Sequence, residues 1–217
     1  METGSVGRLT EFLEDWRYLL RRDGWRSTLT VAVRELLQLP YRHMRFVVLA
    51  RSVDNPLPDY QPKIELDIRP FEKDDIVYIS EIDRPSEAKL CARRLGSGQM
   101  GFIAFHNSRP AGHAWASDRL DPTLERVQFP LLPGDGICLD VFTAPAYRGK
   151  GVQTALSLAR FHFLREQGYV RVVTYIEKQN HPSLGVWQRK LGSEIIGHID
   201  FVRVGPWRRV RYSEERN

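Results

Sequence analysis

From residue 137 to 143 the chain alternates. Ile137, Leu139, Val141 and Thr143 fall on one side, and Cys138, Asp140 and Phe142 on the other. That is the period of a half-buried strand. Pro145 stops the ladder because it has no N–H to donate. After Arg148-Gly149-Lys150-Gly151 the period changes. Leu156, Ala159, Phe163 and Leu164 share one face at helical spacing, and Gly168 closes the run. A strand, a basic glycine turn and a helix therefore stand in succession.

The pattern elsewhere predicts further elements. Residues 9–22 read as an amphipathic helix with Leu9, Phe12, Leu13, Trp16, Leu19 and Leu20 on one face, and residues 28–39 as a second helix ended by Pro40. Residues 45–53 have strand character. Asn55-Pro-Leu-Pro-Asp59 and Pro62 make a stiff linker. The expectation is an N-terminal helical appendage and linker over residues 1–62, packed on the core or on a second subunit, and a separate domain over 63–217. Residues 63–70 alternate as a strand, and Phe71-Glu-Lys-Asp-Asp75 opens a helix with acids in its first turn. Ser86 is placed to cap a short helix ending at Leu95. Residues 99–105 and 112–117 form a hairpin around Asn107-Ser-Arg-Pro110, with His113 and Trp115 on one side of its second strand. Residues 121–136 read as a loop, 169–176 as a strand rich in β-branched and aromatic residues, and 180–190 as a helix. Residues 194–204 and 207–212 close the chain as a hairpin across Gly205-Pro206.

Composition narrows the class. A chain of 217 residues with 42% hydrophobic content can bury one sizeable core plus an appendage. Two cysteines, Cys91 and Cys138, imply no disulfide framework and a reducing compartment. No apolar run reaches the roughly 20 residues of a membrane span. Acids stand in METGSVGRLTEFLEDW where a signal peptide would be basic and then apolar. The expected location is cytoplasmic. A peripheral membrane or protein contact through residues 1–62 stays open, because Trp and Leu oppose Arg17, Arg21 and Arg22 there. The net charge of +5 suits an anionic cofactor or surface; nucleic acid is not the expected partner. Gly96-Ser-Gly98 is a turn, with no Lys-Ser/Thr to make it a phosphate loop. No second His or Cys stands at ligand spacing from His113, and no metal is expected.

The glycine turn has chemistry of its own. The first N–H groups of a helix lack internal partners and attract anions. Gly149 and Gly151 let a bulky diphosphate approach the backbone, and Arg148 and Lys150 add charge. An ordinary βα turn with two glycines is the competing reading of these four residues.

Pro145-x-Tyr147-Arg148-Gly149-Lys150-Gly151 after a strand resembles motif A of the GNAT acetyltransferase superfamily, Q/R-x-x-G-x-G/A. Arg148 stands at the Q/R position and Gly151 at the first glycine, while Gln153 replaces the small residue that follows. Asn180, Ser183, Trp187, Lys190 and Gly192 resemble the second GNAT signature, with Ser193 in place of its usual Phe. The resemblance covers residues 63–212. It implies an α/β (α+β) fold: a mixed, mostly antiparallel sheet with flanking helices and a V-shaped splay between its two central strands. It implies an acyl-CoA-dependent N-acyltransferase, acetyl-CoA being the first choice of co-substrate, acting on an amine acceptor that the fold does not name. The pantetheine arm would pair with backbone near Phe142, Thr143 and Ala144. The diphosphate would sit on Arg148, Gly149, Lys150, Gly151, Val152 and Gln153. Asn180 and Trp187 would contact the pantetheine.

The proton-transfer groups are less defined. Relatives carry Glu or His nine or eleven residues before the Q/R, where this chain has Leu139 and Ile137. Strand parity puts Asp140 on the opposite face from them. Glu81, His113, Glu177 and Asp135 remain as candidate bases. Trp187 stands where relatives usually have Tyr, and an indole donates a hydrogen bond but supplies no proton. Two other readings are kept: an acyl-CoA-binding module with little turnover, and a surface binder using the basic N-terminal arm.

Overall fold

The computed structural model describes residues 14–21, 24–25, 28–29, 41–120 and 127–215. Eight strands make one sheet: β1 (Tyr41–Ser52), β2 (Asp67–Pro70), β3 (Met100–His106), β4 (Arg109–Ser117), β5 (Asp135–Thr143), β6 (Arg171–Glu177), β7 (Glu194–Val204) and β8 (Trp207–Glu214). Their order is β2-β3-β4-β5-β6-β1-β7-β8. Neighbours are antiparallel except β5 and β6, which run parallel. The helices are α1 (Ile76–Ile82), α2 (Pro85–Gly96), α3 (Val152–Glu166) and α4 (His181–Gly185). On the front face, Ile79 of α1 and Ala88 and Cys91 of α2 pack with Ile103, Trp115, Ile137 and Leu139. On the back face, Leu156, Phe161 and Leu164 of α3 meet Ala114, Ala116, Cys138 and Val172. The sheet is thus covered on both sides, as a parallel strand pair requires.

Residues 41–52 are not an appendage. β1 lies between β6 and β7 and is bonded to both, from Phe46↔Glu177 to Ser52↔Arg171 on one edge and from Tyr41↔Val204 to Ala50↔Glu194 on the other. A boundary at residue 62 would cut through the sheet. The physical reason is the run Phe46-Val-Val-Leu-Ala50, apolar on both faces and buried throughout. Such a run needs cover on two sides, which the middle of a sheet provides and an appendage does not.

Other expectations need smaller adjustments. The strand at 63–70 is confined to Asp67–Pro70. The β3–β4 turn contracts to Asn107 and Ser108, both with positive φ, as a two-residue hairpin turn demands. The helix at 180–190 splits into α4 and a π turn over Val186–Lys190. Ser86 does not cap α2; its N–H and hydroxyl both donate to the carboxylate of Asp15, so the cap comes from the N-terminal region. Residues 14–21 and 28–29 are helical, and the remainder of the two helices expected there lies outside the described residues. Among the described residues no helix is long and apolar enough to cross a membrane.

The position of β1 carries a prediction. A chain beginning at Lys63 would expose the inner edges of β6 and β7 together with the apolar faces that β1 covers. It is expected to lose its cooperative thermal transition, measured by circular dichroism. A sharp transition in that chain would show that the sheet closes without β1.

Candidate active site

The parallel ladder between β5 and β6 is short. It runs from Asp135↔Arg171 to Cys138↔Thr174 and stops. Above it, β5 stays with β4 and β6 stays with β1, and the two strands part. The splay opens into a cavity of about 220 Å³ lined by Phe46, Leu139, Asp140, Arg160, Tyr175, Glu177 and Trp187, among others. A second cavity of about 630 Å³ surrounds the glycine turn. Val141, Gln153, Asn180 and Ser183 line both, so the two are continuous.

The two arms of the V are held differently. At the closed end Asp135 is buried, and Arg171 grips its carboxylate with two N–H groups at 2.8 and 2.7 Å. Asp135 is thereby committed to a strand-to-strand clamp and has no part in the cavity. At the open end β5 carries a bulge: Trp115 faces Leu139 and Ala114 faces Val141, which leaves Asp140 without a partner. The bulge changes the phase of the strand. Val141 packs with α3 at the back, while Phe142 stacks on His113 at a centroid distance of 5.6 Å. Asp140 turns to the front and pairs with Arg94 of α2. The parity that excluded Asp140 from the inner face therefore does not hold, because one inserted residue reverses it.

Two buried arginines support this bend. Arg94 stands 5.6 Å over the Trp115 ring and meets Asp140. Arg160 reaches from α3 and donates one nitrogen to the carbonyls of Trp115 (3.0 Å) and Leu139 (2.6 Å), and the other to the Ser157 hydroxyl (3.0 Å). The irregular register at the bulge leaves backbone groups in need of partners, and Arg160 answers two carbonyls there. Burial pushes its pKa below the ordinary arginine value.

The candidate bases separate. Glu81 is exposed on α1 and lines neither cavity. His113 is buried; its Nδ1 accepts from the Trp115 indole at 3.2 Å, and its Nε2 stands 3.9 Å from Asp83 with no hydrogen-bond partner. It lies beneath Phe142 rather than in the cavity. Glu177 lines the cavity at the end of β6, and Asp140 lines it across the gap. Sequence reasoning also passed over Glu87, whose carboxyl is pushed up by burial and then by Asp83.

The turn has the shape its glycines suggest. Gly149 and Gly151 have φ of 73° and 96°, a region that side chains avoid. Phe142, Thr143, Arg148, Gly149, Gly151, Val152, Gln153 and Asn180 all line the cavity at the head of α3. Ala144 is buried, and Lys150 lies with its ammonium 5.4 Å from the centre of the Tyr147 ring. Gln153, where a smaller residue was expected, donates to the Ser183 hydroxyl at 3.0 Å and ties α3 to α4. Trp187 is buried against Phe161 at 5.5 Å and lines the V.

The proline-rich linker is part of this surroundings. Arg51 donates to the carbonyls of Leu191, Asn55 and Pro56. Leu57 and Tyr60 pack on the back-face core, and the Lys63 N–H reaches the Lys150 carbonyl at 2.9 Å. Lys190 sits 5.2 Å over the Tyr60 ring. The segment is therefore a strap running from the end of β1 to the glycine turn.

A mostly antiparallel sheet with one parallel pair, splayed above a glycine-headed helix, defines the acetyltransferase class of fold. A sequence model of the acetyltransferase (GNAT) family matches residues 64–193, more than half of the chain, and the chain belongs to that family. No curated protein matches it by sequence. A GCN5-related N-acetyltransferase from Sphaerobacter thermophilus shares the fold at 17% identity and a TM-score of 0.51, over 85% of this chain and 56% of that one. A tandem GNAT protein from the clavulanic acid biosynthesis pathway does so at 17% identity and a TM-score of 0.52, over 85% and 58%. The chain thus spans little more than half the length of either structure, and these likenesses speak to fold alone.

The strap can be tested at Gly151. A Cβ there would stand 2.4 Å from the Tyr60 hydroxyl, on a backbone already in the left-handed region. Gly151→Ala is expected to lower the thermal midpoint, since the left-handed strain alone is about 1–2 kcal/mol. Adding Tyr60→Phe should recover part of the loss by removing the clashing oxygen. No recovery in the double variant would show that strap and turn do not press on each other.

Proposed function

We propose that this protein transfers an acyl group from acyl-CoA, acetyl-CoA first among them, to the nitrogen of an amine acceptor. The observation that carries the reading is the open edge of β5 above Cys138, which runs without interruption into the glycine turn at the head of α3. An extended amide-bearing arm can add to that edge as a strand would. The helix N-terminus and Arg148 then meet a diphosphate. Gly149 and Gly151, with no Cβ, leave the backbone accessible at that point.

The acyl-CoA supplies an activated thioester; the protein must position the amine, take its proton and accommodate the departing thiolate. Glu177 is placed to accept the proton, directly or through water. It lines the V at the mouth, where an amine entering from the front would pass. Asp140 lines the opposite wall with its charge already shared with Arg94. Trp187 packs beside the arm and can donate only a hydrogen bond. That indole favours a second reading, an acyl-CoA-binding module with little turnover. Tight acyl-CoA binding with no thiol release across a broad amine panel would decide for it.

Release of CoA thiol can be followed with a thiol reagent because the protein's own thiols are shielded. Cys91 and Cys138 are buried, and burial pushes Cys91 up to about 12 and Cys138 upward as well. Neither is expected to react until the protein unfolds. Arg148→Ala should weaken acyl-CoA binding at least about tenfold by calorimetry, through loss of a charge-assisted contact. Unchanged affinity in the folded variant would remove the site. With an accepted amine, Glu177→Gln should lower turnover by about 10²-fold or more while acyl-CoA affinity holds. Trp187→Phe should change turnover by less than about tenfold, since no proton leaves with the indole. The reverse pattern would remove Glu177 as the base and show that the indole N–H takes part in turnover as a hydrogen-bond donor.

A further inference from the structure

At one end of the sheet an apolar row stands in the open. Tyr41 of β1 faces Val204 of β7, and Val204 faces Trp207 of β8. Opposed residues share a face, and so do residues two apart on a strand, so the row lies on the back with His43, Arg45 and Val47. Val47 is the last residue of β1 toward this end that the back-face core includes. Beyond it Trp207 is 81% exposed, and Tyr41 and Val204 are each 53% exposed. The row forms the tip of the β7–β8 hairpin, where Gly205-Pro206 makes a two-residue turn with Gly205 at positive φ.

Basic residues stand in bands behind this tip. Arg42 and Arg203 face each other one position back, Arg209 stands two back, and Arg45 and Arg211 stand four back. Asp200 is the one acid in residues 41–45, 200–204 and 207–211, and it engages His43 and Arg45. Charges on an edge strand protect it from pairing with another sheet, which accounts for Arg209 and Arg211 on β8. That protection does not account for Arg42 and Arg203 on inner strands, nor for an exposed indole at the turn. The spacing points further. Arg42, Arg203 and Arg209 lie roughly 3–7 Å behind the tip, and Arg45 and Arg211 roughly 13 Å. The polar headgroup layer of a bilayer is about 5–8 Å deep on each side.

We propose that this hairpin tip docks the protein end-on to an anionic bilayer surface. Trp207, Tyr41 and Val204 enter the boundary between headgroups and acyl chains, a depth that suits rings with an apolar body and a polar edge. Arg42, Arg203 and Arg209 then stand among the headgroups, whose phosphates guanidinium groups meet in forks at little desolvation cost. A nucleic acid fits this arrangement less well. A stacking platform sets its rings on the middle of a sheet with basic groups beside them, whereas here the rings are at the strand ends and share their row with Val204. The V opens toward the same end. The β5–β6 ladder stops at Cys138↔Thr174, β6 ends at Glu177 opposite Phe46, and β1 runs on past it to Tyr41. Docking therefore turns the open end of the V toward the bilayer, set back roughly 17 Å from the tip. The docking surface stands independently of the acyltransferase reading.

Vesicles of phosphatidylcholine, with and without about 30% phosphatidylserine, serve as the probe for the full chain. Co-sedimentation is expected to show binding at least about tenfold tighter to the anionic vesicles, weakening as salt is raised. Trp207→Ala should weaken that binding at least about tenfold, and Arg209→Gln about fivefold, with the thermal midpoint and acyl-CoA affinity held. Bromine on the lipid acyl chains should quench the protein's indole fluorescence, and Trp207→Phe should remove most of that quenching. Equal binding to both kinds of vesicle, or none, would overturn the proposal. So would anionic binding that survives Trp207→Ala and Arg209→Gln, which would place the contact in another part of the chain, and so would quenching that is unchanged in Trp207→Phe. Tighter binding to a single-stranded oligonucleotide than to the anionic vesicles, lost in the same variants, would reassign the tip to nucleic acid. A dimer in light scattering that Trp207→Ala dissolves would reassign it to a second copy of this chain. Either reassignment overturns membrane docking. Acyl-CoA affinity is measured on the same samples, so loss of the acyltransferase reading and loss of docking are separate results.

Discussion

Arg160 holds the carbonyls of Trp115 and Leu139 where the β4–β5 register breaks, and the shape of the site depends on that contact. A parallel pair left to itself would continue to zip, since each further rung satisfies two polar groups. Here zipping stops after Cys138↔Thr174. The bulge bends β5 away from β6, and a buried cation from the helix behind makes the bent form the satisfied one. Burying a guanidinium without a carboxylate is costly, and the three hydrogen bonds offset that cost only in this geometry. The clamp between Asp135 and Arg171 fixes the other end, so the V has a tied apex and a propped arm.

The opposite arm is held by β1. Once β6 leaves β5, its outer edge is all that anchors it, and β1 pairs with that edge up to Glu177. The same strand then continues as the strap to the glycine turn, through Arg51, Tyr60 and Lys63. One continuous stretch of chain therefore supports the far wall of the V and packs against the turn at its back. This links the geometry of the two cavities: a shift of β1 along β6 would pull on the strap, and through it on Gly151.

What could be read from the sequence was what is local. Glycines at 149 and 151, an apolar period of 3.6 and the strand before them are properties of neighbouring residues, and the structure reproduces them. The bulge is different. Residues 137–143 alternate without a break, and only the pairing with β4 shows that Asp140 is the extra residue. Its appearance on the front face was hidden for that reason, and Asp140 was set aside by a parity rule that the partner strand cancels. The placement of β1 was hidden in the same way. Its apolar run was visible, yet a proline-rich stretch after it looked like a domain linker. The family match itself begins at residue 64, beyond β1. Strand order is a long-range fact, and no local period encodes it. Asp15 capping α2 across 71 residues belongs to the same kind.

The charges of the site make sense as a sequence of fields along one path. Arg148 and the helix N-terminus lie at the back end, and Asp140 and Glu177 line the V. An anionic diphosphate and a cationic amine have separate favourable places in that arrangement. Under the proposed reading the diphosphate would meet Arg148 and the ammonium the carboxylates, and exchanging them would put like charges together at both ends. Orientation of this kind costs the protein nothing at the moment of reaction, because the charges are fixed by the sheet. Under the proposed reading Glu177 would both attract the ammonium and take its proton. Attraction and activation would then fall together on the wall of the V that β1 sets, facing the wall that the bulge sets.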